Sequence, residues 1–275
     1  MNKFITQPDF HLLNPIPRKI GRENIGWDTK NIPFSGIDIW NCYEFSFLEK
    51  SGKPFIGILR IEYPADSEFL IESKSLKLYL NSFNMAVFNN FYSSKKVIIN
   101  DLQNCLKTSK IKIKLVKKNI FNLQKDFKNI DNVETKNNFE YEINPNLLIA
   151  KSVKKQEYFL MSNLLKSNCP ITNQPDWGTV YIYYLADKKQ VMEESFLRYI
   201  VSYRNHNEFH EECCERILFD LVRKIQPKKI AVLCKYNRRG GIDINPIRIY
   251  PKEQKLTENF LSKFQKIMYS REFRQ

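Results

Sequence analysis

The chain has 275 residues, of which 43% are hydrophobic, with a formal net charge of +14 and six cysteines. That length and apolar content suffice for a full core and exclude a disordered polypeptide, and no apolar run reaches the roughly 18 residues that a membrane span requires. Met1 to Lys19 has no apolar stretch of the secretory kind, so a soluble cytoplasmic protein without a membrane partner is expected.

In chain order, Met1 to Phe34 is punctuated by prolines and reads as irregular, and Ile37 to Phe47 with Pro54 to Tyr63 read as two strands joined at Lys50-Ser51-Gly52-Lys53, a hairpin signal. Helical patterns follow at Ser75 to Phe83 and Val97 to Leu106, then an alternating strand at Ile111 to Ile120. Asn122 to Asn146 is polar and irregular, which makes it the expected linker. The second half repeats the order, with a strand at Thr179 to Leu185, helices at Glu194 to Tyr203 and Glu208 to Ile225, and strands at Lys229 to Tyr236 and Ile242 to Tyr250.

At a constant offset Ser75, Tyr79, Ser82 and Phe83 fall on Ser195, Tyr199, Ser202 and Tyr203, and after a one-residue slip Tyr63, Ala65 and Asp66 fall on Tyr184, Ala186 and Asp187. Duplication is the favoured reading. The expected domains are residues 1–121 as an N-terminal module, 122–150 as a linker and 151–275 as a C-terminal module, each with helices on one face of an antiparallel sheet, an α+β class.

The positive charge raises nucleic acid as a partner, since basic chains gain affinity by releasing counterions from phosphates. The lysines, however, are scattered among abundant Asn and Ile, which favours a solvated surface and no nucleic-acid partner, with part of the charge suited to a phosphate-bearing cofactor. The basic segment Lys252 to Arg274, with Leu256, Phe260, Phe264 and Met268, is expected to dock as an amphipathic helix.

None of the six cysteines forms a CxxC pair, so neither a zinc knuckle nor a disulfide framework is signalled, and no metal is expected. Cys214 lies in helical register with Ile217, Leu218, Leu221 and Ile225, and Cys234 lies in an apolar run, which marks both as core. We read Cys169 as the one that combines polar neighbours with a nearby carboxyl group, the setting of a reactive thiol. It opens a proline-bracketed loop, Cys169-Pro170-Ile171-Thr172-Asn173-Gln174-Pro175-Asp176-Trp177-Gly178, that offers a thiol and a carboxyl group before a strand-like run.

Two further motifs accompany that loop: Glu72-Ser73-Lys74-Ser75-Leu76-Lys77-Leu78-Tyr79 after an apolar strand, and Phe209-His210-Glu211-Glu212-Cys213 at the head of a periodic helix. Together the three resemble, over nearly the whole chain, the two-module nitrile oxidoreductases that convert 7-cyano-7-deazaguanine (preQ0) to 7-aminomethyl-7-deazaguanine (preQ1) in tRNA queuosine biosynthesis. The resemblance implies tandem tunnelling-fold (T-fold) modules, barrel-forming on assembly, in a homodimer with substrate sites where modules meet. It implies NADPH, two per turnover, and no metal.

Under that resemblance Cys169 is the nucleophile that forms a covalent thioimide, because thiolate addition turns an unreactive nitrile into a C=N group that accepts hydride. Asp176 is the proton donor to the nitrogen. Ile71, Glu72, Ser73, His210 and Glu211 bind substrate, with Glu211 suited to the paired N–H and NH2 donors of the deazaguanine edge and Glu72 reaching in from the other module. Ser73, Lys74, Arg239 and Gly240 bind the cofactor in place of a GxGxxG fingerprint, which the chain lacks. A plain hairpin turn is the competing reading of Arg238-Arg239-Gly240-Gly241. A cysteine-dependent nitrile or amide hydrolase shares the thiolate step. A zinc-dependent pterin enzyme or a basic RNA-binding relative of the same fold is the third class.

Overall fold

A computed structural model describes residues 7–116, 126–135, 138–252 and 258–275, with the side chains of 258–262 outside that description. The elements in chain order are β1 (Pro15–Pro17), α1 (Arg18–Ile25), β2 (Ser35–Leu48), β3 (Pro54–Pro64), β4 (Phe69–Ile71), α2 (Ser73–Asn81), α3 (Phe91–Leu106), β5 (Lys112–Leu115), β6 (Lys128–Asn129), β7 (Ala150–Ser152), β8 (Gln156–Asn168), β9 (Pro175–Ala186), β10 (Lys189–Val191), α4 (Glu193–Val201), α5 (His210–Ile225), β11 (Lys229–Tyr236), β12 (Ile242–Tyr250) and α6 (Glu258–Tyr269). Every strand pairing but β6 with β8 is antiparallel among those described, and the class is α+β, as expected.

The chain forms two compact units. The first comprises residues 1–21, 37–119 and 238–244 and carries the strand order β5-β3-β2. The β2–β3 hairpin turns at Gly52, whose φ of 82° is open to glycine at no steric cost. Between Cys42 and Phe45 its register shifts at a bulge. Glu72 caps α2 by accepting from the Lys74 and Ser75 amides at 2.8 and 2.7 Å, and Asn90 caps α3 reciprocally with Ser93. Trp40, Phe45, Phe47, Tyr79, Phe83, Ile98 and Leu102 fill the core beneath these elements.

The second unit comprises residues 22–36, 120–237 and 245–275, with the order β12-β11-β9-β8-β6. Its central strands are buried along their length, from Val180 to Tyr184 and from Ile230 to Cys234. Cys214 on α5 donates weakly to the Val232 carbonyl of β11, so α5 lies on that strand. Glu215 of the same helix receives Arg22 and Arg248 at 2.9 Å, an ion triad sealed from solvent.

The sequence reading missed β8. A bulge between Ser162 and Leu165 breaks its alternation so that Asn163 and Leu164 are both half-buried. Asp131 fills the gap, accepting from Ser162 Oγ and from the Asn163 backbone and side-chain amides. Two ribbons of three residues each, β1 with β4 and β7 with β10, were too short to read. The expected strand Ile111 to Ile120 narrows to β5, its last four residues lying outside those described, as do Leu256 and the Phe260 side chain of the basic tail and parts of the expected linker. Phe264 and Ile267 of α6 are buried.

Candidate active site

The β8–β9 hairpin delivers Cys169 and Asp176. Ser167 is the cross-strand partner of Asp176, and Cys169 follows Asn168, the last residue of β8, whose partner is Pro175. Asp176 is therefore a strand residue, not a loop residue as the sequence suggested. The connecting turn is closed by two backbone bonds, Cys169 N–H to the Gln174 carbonyl and Asn173 N–H to the Cys169 carbonyl, both 2.9 Å. Asn173 takes the left-handed conformation there.

Segment 204–208 grips the same turn. Asn168 N–H donates to the His206 carbonyl at 2.8 Å, Glu208 N–H to the Asn168 carbonyl at 3.2 Å, and the Asn207 side chain bridges Asn168 and Asn173 at 3.1 and 2.9 Å. Lys166 Nζ completes the staple with bonds to Asn168 Oδ1 and the Arg204 carbonyl at 2.6 and 2.5 Å. Cys169 and Asp176 are each 7% exposed, so the pair is held and largely sheltered.

The first turn of α5 supplies His210 and Glu211. His210 Nε2 lies 3.2 Å from Asp176 Oδ2, at ion-pair distance but without a hydrogen bond's alignment to any described residue. Its ring stacks on Tyr236 with centroids 3.8 Å apart and planes 17° from parallel. Glu211 is 2% exposed in a helical first turn, where unpaired amides favour an anion. The fold thus joins Asp176 and His210, two motifs separate in the sequence.

Cys169 is not the only cysteine with polar surroundings. Cys213 is fully buried beside the Tyr236 and Ser167 hydroxyls, and burial pushes its thiol well above the ordinary range, which keeps it neutral. Its polar neighbours come from β8 and β11, so no local pattern around Phe209-His210-Glu211-Glu212-Cys213 announced them.

In the first unit, Ile71 is buried at the end of β4, Glu72 caps α2, Ser73 is half-exposed at the first helical position and Lys74 is exposed. A turn bridged from Arg239 to Ile242 carries Gly240 and Gly241 at φ 58° and 78°. A shallow, solvent-open depression lies beside it, lined by Glu44, Lys77, Asn81, Gly240 and Gly241 among others. A Cβ on Gly240 would lie 3.0 Å from Lys77 Nζ, so the lysine sits directly over that glycine. Arg238 stacks over the Tyr43 ring at 5.0 Å.

Two family models match the sequence: the N-terminal part of the nitrile reductase, 7-cyano-7-deazaguanine-reductase, over residues 4–115, and the QueF-like protein over residues 175–255. A curated relative, the NADPH-dependent 7-cyano-7-deazaguanine reductase of Buchnera aphidicola subsp. Schizaphis graminum (strain Sg), is 43% identical over 245 residues, 87% of this chain and 92% of that one. The chain belongs to the 7-cyano-7-deazaguanine reductase family. Among solved structures, that of the archaeosine synthase QueF-Like in the apo form is 21% identical, covers 38% of this chain and 100% of its own, and has a TM-score of 0.33.

Within this nitrile reductase family member, no group of three or more His, Cys, Asp or Glu among the described residues is disposed to hold a metal ion, and no described helix is long and apolar enough to cross a membrane. Sequence reasoning passed over Tyr236 as the end of a strand and Gly178 as the end of a motif. Tyr236 pairs with Gly178 across β11 and β9, and its ring stacks on His210.

Proposed function

We propose that this chain catalyses the four-electron, NADPH-dependent reduction of the nitrile of 7-cyano-7-deazaguanine to an aminomethyl group, through a covalent thioimide on Cys169, in queuosine biosynthesis. The observation that carries the reading is the 3.2 Å approach of His210 to Asp176 beside the stapled turn that presents Cys169, in a chain 43% identical to a reductase of that name.

The Cys169 sulfur forms a bond to the nitrile carbon, and one π bond of C≡N opens onto nitrogen. Asp176 delivers a proton to that nitrogen, and the thiol proton passes to the Asp176–His210 pair, so that S–H has added across the triple bond and the pair is recharged. His210 holds a buried nitrogen without a hydrogen bond to a described residue, as a group waiting for substrate would. Glu211 accepts the paired donors of the deazaguanine edge through its two carboxylate oxygens. The Glu72 carboxylate accepts two backbone amides yet retains lone pairs for a pyrrole N–H. Ile71 and Ser73 flank it.

Ser73, Lys74, Arg239 and Gly240 are proposed to hold NADPH. In support, the Lys77 ammonium group and the Gly240-Gly241 turn lie together beside a solvent-open depression, where a cation and close backbone approach suit phosphate oxygens. Bound there, NADPH supplies hydride, and two molecules are consumed for each nitrile. We further read the two units as tandem T-fold modules, which the serine and tyrosine contacts recurring in both support, and the protein as a cytoplasmic homodimer.

The test is intact-mass analysis after mixing the protein with 7-cyano-7-deazaguanine in the absence of NADPH. An adduct of one nitrile mass that vanishes in Cys169→Ala is expected. In a parallel assay with NADPH present, its oxidation is expected to depend on the nitrile. Ammonia release with no NADPH loss would instead identify a hydrolase, and full turnover by Cys169→Ala would overturn the covalent route.

A further inference from the structure

With Asp176 read as the proton donor, the direction of the His210 imidazole matters, and its Nε2 lies 3.2 Å from Asp176 Oδ2 without a hydrogen bond's alignment to a described residue. Tyr236 is the last residue of β11, 1% exposed, and its ring lies flat on the imidazole. Such a stack restricts rotation of the imidazole about its last torsion, and with it the direction of Nε2.

The strand beneath is shaped to admit that ring. Gly178 is the cross-strand partner of Tyr236, and a Cβ there would stand 3.2 and 3.5 Å from Tyr236 Cδ1 and Cε1 and 3.0 Å from the Lys235 carbonyl oxygen. A side chain at 178 would crowd the ring and the Lys235 carbonyl, so one of them would have to give way. Three further contacts set the tyrosine itself. Its carbonyl accepts from Gln275 Nε2 at 3.0 Å, the next amide, Asn237 N–H, donates to the Trp177 carbonyl at 2.8 Å, and its hydroxyl is buried with Ser167 and Cys213.

We propose that Tyr236 is a positioning residue for the reduction: its ring sets the plane of the His210 imidazole and thereby the Nε2 contact to Asp176, and Gly178 is the gap that admits it. The inference rests on the reading of Asp176 as proton donor. The work is done by the aromatic face, not by the hydroxyl.

The experiment compares Tyr236→Phe, Tyr236→Leu, Gly178→Ala and Asp176→Asn in the full chain, alone and with His210→Ala, measuring kcat and KM for the nitrile by NADPH oxidation. Tyr236→Phe keeps the stack and is expected within about threefold of the parent. Tyr236→Leu is expected to lower kcat about 10- to 100-fold with KM for the nitrile within about threefold, the loss typical of a misplaced reacting group. In the His210→Ala background the same Tyr236→Leu change should lower kcat less than about twofold further, because the residue it positions is gone.

Equal impairment of the Phe and Leu variants, or a full additional loss in the His210→Ala background, overturns the proposal. If Tyr236→Leu does not fold, Gly178→Ala decides, with a kcat loss supporting the inference and a parental kcat sinking it. Asp176→Asn separates the two readings. An inactive Asp176→Asn beside a fully active Tyr236→Leu defeats only the positioning role, whereas a fully active Asp176→Asn defeats the proton-donor assignment as well.

Discussion

The Tyr79 hydroxyl donates to the Asp101 carboxylate at 2.6 Å, tying α2 to α3, and in the second unit Tyr199 makes the same bond to Asp220 at 2.6 Å. The agreement extends to their surroundings. Ser75 and Ser195 each accept from a backbone amide of the chain before the helix, Asn14 and Ile149, at 3.0 Å, and Ser82 and Ser202 each donate to the tyrosine carbonyl three residues back. A bond to a charged partner contributes roughly 1.5–3 kcal/mol, and Tyr199 adds a second bond, to Tyr203 at 2.8 Å, in a fully buried site. Tyr79→Phe is therefore expected to cost about 1.5 kcal/mol and Tyr199→Phe about 3 kcal/mol, read as shifts of the urea midpoint at constant slope.

Glu215 is the counter-charge for two arginines that share its site. Arg22 and Arg248 both donate to it at 2.9 Å, and all three are nearly sealed from solvent. Removing one member of such a group strands charge in a low-dielectric interior, and Glu215→Ala is expected to lower stability by about 3–5 kcal/mol. A loss under about 1 kcal/mol in equilibrium unfolding would mean that water reaches the arginines.

These two networks differ in how far the sequence revealed them. The serine and tyrosine positions were legible because they recur at a fixed offset, whereas their partners Asp101, Asp220, Asn14 and Ile149 lie on other segments. The Glu215 triad draws on α1, α5 and β12, and no spacing connects those segments. The same division runs through the fold. The β2–β3 hairpin and strands β11 and β12 were read within a residue or two, since alternation or continuous apolarity persists along each, whereas the bulge at Ser162 hid β8.

At the site, the residue types of Cys169, Asp176, His210 and Glu211 were legible as chemistry. The staple from 204–208, the contact of Asp176 with His210 and the ring of Tyr236 were not, because each depends on cross-strand register between segments far apart in the chain.

Glu208 belongs to that staple and makes it sensitive to acid. Burial pushes its carboxyl group up, but the close approach of His206 and the hydrogen bonds from Arg216 outweigh burial and bring it below the ordinary carboxylate range. A depressed folded value means that this group's contribution is fully present above the unfolded carboxylate pKa and is lost as pH falls through the lower folded value. Stability measured from pH 7 downward (about 7 to 3) should thus show an acid limb that is shallower in Glu208→Gln. An unchanged limb would rule out Glu208 as a contributor.

Lys166 should tune the speed of covalent capture without touching substrate. Its ammonium bonds to Asn168 Oδ1 and the Arg204 carbonyl fasten the turn one residue before Cys169. Lys166→Met keeps the stem but frees the turn, and about tenfold slower adduct formation, with the final adduct yield unchanged, is the expected outcome in time-resolved mass spectrometry. A parental rate would show that the backbone bonds alone hold Cys169.

Gly241 offers a way to impair cofactor binding while sparing the thiol chemistry. Its φ of 78° lies where L side chains are strained, and a Cβ there would fall within 2.4 to 2.6 Å of the Glu44 carboxylate atoms, which would have to leave the wall of the depression. Gly52 is the matching control, because its φ of 82° carries the same backbone strain with nothing within 4 Å of the added carbon. Both alanine variants are expected to lose about 1 kcal/mol of stability from the backbone alone. Only Gly241→Ala should raise KM for NADPH, by about tenfold if one phosphate contact worth about 1.4 kcal/mol is lost, and it should leave adduct formation without NADPH at the parental rate. A Gly241→Ala variant with parental KM for NADPH would separate this turn from the cofactor and leave it a plain hairpin connection.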